Sequence, residues 1–90
     1  MRIVWASSAW DDYVAWQSSD PGMADKINQL IGDIRRNPFV GLGKPEPLKM
    51  DMAGWWARRI DKEHRLVYRV SGRRGADQQV DIAKCRFHYR

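Results

Sequence analysis

Trp55-Trp56-Ala57-Arg58-Arg59-Ile60-Asp61-Lys62-Glu63-His64-Arg65-Leu66-Val67-Tyr68-Arg69-Val70 is the stretch on which the fold turns. Aromatic and β-branched residues gather toward its two ends, and charged, turn-forming residues sit between them. That distribution predicts strands over 55–60 and 64–70 joined by a tight connection at Asp61-Lys62-Glu63. Side chains alternate across a strand, so Leu66, Tyr68 and Val70 share one face while Arg65, Val67 and Arg69 share the other. The first set reads as core, which turns Arg65 toward the opposite, free face. His64 has the parity of the core set and reads as a packed or capping histidine. The paired tryptophans divide in the same way, one packing inward and one lying on a surface.

Working outward, Val80 to Phe87 reads as a third strand, reached through a longer glycine-bearing connection from Ser71 to Gln78. Its faces are not assigned by pattern, because Ile82 shares parity with Lys84 and Arg86, and Ala83 with Cys85 and Phe87. Upstream the period changes. Asp20-Pro21 is a capping acid followed by proline at a first helical position, and Met23, Ile27, Leu30, Ile31 and Ile34 recur at helical spacing. Pro38 prevents that helix from continuing. A first helix is expected from Ser7 or Ser8, either of which could cap it, to about Ser19, with Trp10, Tyr13, Val14 and Gln17 on one face. Ile3-Val4-Trp5 is a short strand, and Gly41 to Pro45 is a loop by composition. Two helices followed by an antiparallel meander make an α+β domain, with the helices packed on one face of a small antiparallel sheet.

Ninety residues suit a single domain over 1–90 with a modest core, in which the five tryptophans carry much of the burial. The start lacks a signal-peptide pattern, no apolar run suits a membrane span, and the lone Cys85 fits a reducing cytoplasm. The net charge of +5 is segregated. Residues 1–34 hold two cations against five acids, and residues 35–90 hold fourteen against six. Such a basic half concentrates polyanions, with RNA or DNA as the expected partner.

Within the basic half lie parts suited to phosphodiester cleavage. Cutting RNA through its own 2′-hydroxyl needs a base for the 2′-proton, an acid for the departing 5′-oxygen and cations for the charge on phosphorus. Glu46, clamped in Lys44-Pro45-Glu46-Pro47-Leu48-Lys49, is the candidate base; a solvated loop acid is the competing reading. His88, in the ending Arg86-Phe87-His88-Tyr89-Arg90, is the candidate acid, since imidazole titrates near neutrality. Arg65 is the arginine singled out for the phosphate. Most other cations, Arg58 and Arg59 among them, are expected to be phosphate contacts or plain surface charge. Tyr89 could stack on a base, bind a phosphate oxygen or anchor the tail. No zinc or magnesium spacing and no nucleophile elbow is present, so neither metal nor cofactor is expected.

The segments Trp10-Asp11-Asp12-Tyr13, Lys26-Ile27-Asn28, Gly43-Lys44-Pro45-Glu46-Pro47-Leu48-Lys49, Trp56-Ala57-Arg58-Arg59-Ile60, Glu63-His64-Arg65-Leu66-Val67-Tyr68 and Cys85-Arg86-Phe87-His88-Tyr89 together resemble the YoeB-type toxins. These belong to the RelE/ParE superfamily of toxin–antitoxin systems. The similarity runs through nearly the whole chain in order. It implies a microbial-ribonuclease-like fold and a ribosome-dependent endonuclease that cuts messenger RNA in the ribosomal A site. It also implies Glu46 as general base, His88 as general acid, Arg65 as the phosphate-stabilising residue, Arg59 and Lys49 as substrate-binding residues, and Tyr89 as the residue that orients the substrate. A YefM-type antitoxin and a homodimer or toxin–antitoxin hetero-oligomer are the implied assemblies.

Two features depart from the family pattern: Arg90 follows the tyrosine that usually ends the chain, and the loop over 71–79 is longer and more basic. ParE-like relatives, which share the fold but poison DNA gyrase, supply the alternative function, and a non-cleaving RNA-binding module is a third.

Overall fold

The computed structural model describes residues 1–88. In chain order these form β1 (Arg2–Trp5), α1 (Ser7–Ser19), α2 (Pro21–Arg36), β2 (Glu46–Pro47), a short 3-10 turn (Met50–Met52), β3 (Trp56–Arg59), β4 (Arg65–Ser71) and β5 (Gln79–Lys84). The strands make one sheet in the order β1-β5-β4-β3-β2. The expected meander of β3, β4 and β5 is antiparallel throughout. The sheet as a whole is mixed, because β1 enters beside β5 in parallel, with Ile3 opposite Val80.

Helix α2 forms where the apolar spacing is strongest. Met23, Ala24, Ile27, Leu30 and Ile34 are buried along it, Pro21 occupies its first turn, and Arg35 and Arg36 lie in its last turn, where cations suit the helix dipole. It ends at Asn37, which takes an extended conformation because a following proline disfavours the helical one. Helix α1 is packed less deeply, with Ala9 buried and Tyr13 and Trp16 set against the core. Its N-cap is Ala6, which makes no side-chain cap bond, so neither Ser7 nor Ser8 serves that role. Asp20 caps α2 by position but likewise makes no side-chain cap bond.

Ile27, Ile34, Leu66, Tyr68, Val80, Ile82 and Cys85 pack between the helices and the sheet, with Val70 partly buried beside them. Each fully buried aliphatic or aromatic side chain contributes on the order of 1.5–3 kcal/mol. The faces that pattern could not assign in β5 are settled by a bulge. Val67 pairs with Lys84 and Tyr68 with Ile82, so Ala83 is the extra residue. An inserted residue reverses the alternation. Val80 and Ile82 face the helices before it, Ala83 packs on the opposite side, and Cys85 returns to the core after it.

The face away from the helices is only partly open. Residues 48–55 fold back beneath it, pinned by the Leu48 amide donating to the Trp55 carbonyl at 2.9 Å. Leu48, Ala57 and Val67 form a second small core there, flanked by Met52, Trp55 and Ala83. The expectation of a wholly free face is therefore corrected: buried Val67 and Ala57 needed an apolar cover. Trp56 packs on the helix side and Trp55 on the other, as alternation predicts.

Candidate active site

Glu46 does not sit in a loop. It pairs with Ala57 as the outermost strand of the sheet, while Pro45 and Pro47 limit further pairing at that edge. Paired residues share a face, so the register carries Glu46, Ala57, Val67 and Lys84 across four strands on the side away from the helices. At about 4.8 Å per strand, Glu46 and Lys84 are separated by roughly 14 Å of backbone. Two residues along β3 on the same face, Arg59 stands opposite Arg65. Glu46, Arg59 and Arg65 therefore meet at one end of one face.

Arg65 is on the predicted face but only 9% exposed. Its Nη1 donates to the carbonyls of Asp61 (2.9 Å), Lys62 (3.2 Å) and His64 (3.1 Å), so the guanidinium also closes the turn between β3 and β4. That turn is built by Asp61, whose Oδ1 accepts from the amides of Glu63 at 2.8 Å and His64 at 2.7 Å. Burial works to raise the Asp61 pKa, but these two amides, with Lys26 nearby, hold the carboxyl below its ordinary value. Arg59 is exposed, and Lys49 is exposed at the start of the segment that folds beneath the sheet.

The chain end is brought to the same place. Beyond β5 the Arg65 amide donates to the Phe87 carbonyl at 3.0 Å, and the Phe87 amide donates to Nδ1 of His64 at 2.8 Å. His64 is buried and packs edge-on against Trp16, so it is a capping histidine whose acceptor nitrogen holds the tail. The strand expected to reach Phe87 stops at Lys84, and Phe87 adopts a left-handed conformation (φ 59°) that redirects the chain. The next residue, His88, is exposed, and its carbonyl accepts from Lys84 Nζ at 3.2 Å. Tyr89 lies outside the described residues.

Sequence reasoning placed Arg58 among the surface or phosphate-binding cations, and the structure overturns that. Arg58 is fully buried. Nε donates to the Tyr68 hydroxyl (3.1 Å), Nη1 to Asp33 Oδ2 (2.5 Å) and the Leu42 carbonyl (3.1 Å), and Nη2 to the carbonyls of Asn37 (2.6 Å) and Val40 (3.1 Å). All five guanidinium N–H groups have an acceptor. The signal was available: Trp56, Arg58 and Ile60 alternate on the core side of β3. Hydrogen bonding from Arg58, then from the Leu42 amide, holds Asp33 below the usual carboxylate range despite its burial. Burial raises the Tyr68 phenol, against the effect of Arg58. This knot fixes the loop that leads from α2 into Glu46.

Cys85 is no nucleophile. Burial, aided by Asp12, pushes its thiol up to about 12, and its Sγ lies 3.4 Å from the Ala9 carbonyl. Among the described residues no three His, Cys, Asp or Glu side chains gather as a metal site, and no helix is long and apolar enough to cross a membrane.

Known proteins share this fold. The chain is 52% identical to Toxin YoeB of Escherichia coli K12, over 99% of this chain and 100% of that one. Its structure superposes on a YoeB/ParE toxin from Agrobacterium tumefaciens with a TM-score of 0.96 and 60% identity, covering 99% and 100% of the two chains. A third likeness is to a chain in a heterotetrameric YoeB–YefM toxin–antitoxin complex from Staphylococcus aureus, at TM-score 0.87 and 42% identity, covering 99% and 98%. Residues 5–89 match the model of the family described as YoeB-like toxins of bacterial type II toxin–antitoxin systems, and the chain belongs to that family.

Proposed function

We propose that this protein is a ribosome-dependent messenger-RNA endonuclease, the toxin partner of a type II toxin–antitoxin pair, acting in the cytoplasm. One observation carries the reading. Sheet register sets Glu46, Arg59 and Arg65 at one end of one face, and the Arg65–Phe87 backbone bond pins the residue preceding His88 at that same end. The backbone at Glu46 and the backbone leading into His88 thus flank the Arg59–Arg65 pair on two sides, which supports a carboxylate and an imidazole acting on one phosphate.

The chemistry follows from that placement. Glu46 accepts the 2′-hydroxyl proton, the 2′-oxygen attacks phosphorus, and His88 protonates the departing 5′-oxygen, leaving a 2′,3′-cyclic phosphate and a 5′-hydroxyl. Arg65, with Arg59 and Lys49 assisting, stabilises the charge on the pentacoordinate phosphorus. Tyr89 orients the substrate. Arg65 suits a fixed electrostatic role because its turn contacts already immobilise it, so little reorganisation accompanies the reaction. Acid–base catalysis of this kind requires no metal.

A YefM-like antitoxin is the expected protein partner, as in the Staphylococcus aureus complex, with a homodimer or hetero-oligomer as the assembly. The basic half of the chain suits an acidic antitoxin segment as well as RNA.

Primer extension on a messenger incubated with the protein, with and without programmed ribosomes and with EDTA in a ribosome-free arm, tests the proposal. A cut inside the A-site codon only with ribosomes is expected. Glu46→Gln and His88→Gln should each lower that cleavage by about 10²–10⁴-fold while leaving ribosome binding unchanged. Absence of a cut in every arm would overturn the reading in favour of a gyrase poison, which a DNA supercoiling assay would then test.

A further inference from the structure

The chain between β5 and His88 is held from two directions. Trp16 of α1 donates from Nε1 to the Cys85 carbonyl at 3.1 Å. From the turn into β4, the Arg65 amide donates to the Phe87 carbonyl at 3.0 Å, and His64 Nδ1 accepts from the Phe87 amide at 2.8 Å. Arg86, between these anchors, lies over the Trp16 ring at 5.5 Å and 3.8 Å from Asp12 Oδ1. Phe87 is therefore fixed through both of its backbone polar groups, one residue before the candidate acid. The same bonds hold it in the left-handed region (φ 59°), which an aromatic residue rarely adopts.

Of these anchors, His64 is the one supplied by a side-chain acceptor. A backbone amide can only donate, so Nδ1 is the bare nitrogen and Nε2 carries the hydrogen of a neutral ring. Nε2 faces Glu63 Oε1 at 3.7 Å, too far for a hydrogen bond. His64 is 8% exposed, and its ring centroid lies 4.9 Å from that of Trp16 and 5.7 Å from that of Phe87. Its backbone is set by the turn: the amide donates to Asp61 Oδ1 at 2.7 Å, and the carbonyl accepts from the Ile60 amide at 3.0 Å. A fixed turn thus aims one acceptor at one amide of the tail.

We propose that His64 is a positioning residue for RNA cleavage, whose Nδ1 holds the Phe87 amide and so sets the backbone from which His88 reaches the departing 5′-oxygen. The inference rests on the endonuclease reading with His88 as general acid, and deepens it. His64 acts through His88 and touches no substrate, as its burial requires. A general acid works only within hydrogen-bond reach of the atom it protonates, and a misplacement of about 1 Å costs on the order of 10²-fold in rate. Without its acceptor, the Phe87 amide is released and the backbone can leave its left-handed turn, carrying His88 with it. The competing explanation is a histidine that only fills space between α1 and the tail, in which case its loss destabilises the fold and nothing more.

Two substitutions separate these roles because they keep opposite halves of the side chain. His64→Asn places a carbonyl oxygen where Nδ1 stood and gives up the rest of the ring, whereas His64→Phe fills the ring's space and has no acceptor. Each is compared with the parent in single-turnover cleavage on programmed ribosomes, alongside its melting temperature and the exchange rate of the Phe87 amide in deuterated water. His64→Phe should lower the rate at saturating ribosomes by about 10²-fold, with the half-saturating concentration within about twofold of the parent. Its Phe87 amide should exchange about tenfold or more faster. His64→Asn should stay within about fivefold of the parent rate, although it loses more packing. The double variant H64F/H88Q should cut no more slowly than H88Q alone, because the two losses act on one step. Cleavage that follows melting temperature, with His64→Asn below His64→Phe, would overturn the proposal, as would additive losses in the double variant. A loss of about tenfold or more in His64→Asn would overturn it whether or not His64→Phe folds. Parent cleavage that H88Q leaves intact would remove the acid that His64 serves, and the proposal with it. Absence of any cut by the parent would sink the endonuclease reading itself, an outcome distinct from all the others, which need a parent that cuts.

Discussion

Arg58 and Arg59 are neighbours on β3 and identical in chemistry, yet they belong to different regions. Arg58 points between sheet and helices, is fully buried and satisfies five acceptors. Arg59 points to the opposite face, is exposed and stands beside Arg65 at the candidate active site. One residue of register converts a ligand-facing cation into the keystone of a loop. The difference teaches that a basic composition cannot be read as a basic surface. At least one of the sixteen lysines and arginines is enclosed within the fold, and the field available to RNA comes from the remainder.

The comparison can be broken most directly at Arg58. Replacing it with Met should cost about 3–5 kcal/mol, because Asp33 is left mostly buried without its partner. Chemical denaturation of Arg58→Met against the parent measures this; a cost below about 1 kcal/mol, within reach of an ordinary exposed pair, would show that the knot is not structural. Tyr68→Phe is a milder intrusion into the same region. It removes the hydroxyl that donates to the Pro38 carbonyl at 2.6 Å and accepts from Arg58, and should cost about 1–3 kcal/mol.

The knot should also titrate. Arg58 and the Leu42 amide hold the folded Asp33 carboxyl below its ordinary value of 3.8. A depressed acid stabilises the fold fully above its unfolded value and ceases to do so as pH falls through the folded one. Stability should therefore decline as pH drops below about 3.8, and Asp33→Asn should reduce that decline while lowering stability at neutral pH. Denaturation midpoints of the two proteins between about pH 6 and pH 2.5 give the comparison; parallel curves would refute it. The smallest effect is expected at Arg59. Arg59→Gln should change stability by no more than about 0.5 kcal/mol, while weakening cleavage on ribosomes because the substrate phosphate is deprived of a cation. Equal stability costs at the two arginines would erase the distinction between the regions.

Much of the fold was legible because it is written in local periodicity. Met23, Ile27, Leu30 and Ile34 mark α2 by spacing alone, and Leu66 and Tyr68 mark the core face of β4. The bulge at Ala83 was not legible, because an inserted residue reverses parity without any change in composition. The second core under the sheet was missed for a related reason: Leu48 and Trp55 are neighbours in space only once the chain turns back through Met50–Met52. At the candidate site, the residue types at 46, 65 and 88 drew attention through the chemistry that RNA cleavage needs, and Arg59 through the family resemblance. Their convergence depends on strand register and on the Phe87 anchor, neither of which a linear reading contains.

The two helices, the meander, the charge segregation and the residue types able to act as acid, base and phosphate ligand follow from the order of amino acids alone. These are short-range properties, fixed by neighbours within a few turns of chain. That Arg58 is core and Arg59 surface, that Arg65 is nearly buried, and that the segment leading to His88 is tied to the start of β4 were settled by packing in three dimensions. The Arg58 guanidinium and the tail depend on partners far along the chain, Asp33 for the one and the Arg65 amide for the other, whereas the Arg65 guanidinium is met by carbonyls of its own turn. The cost of burying a charge is set by whether such partners arrive.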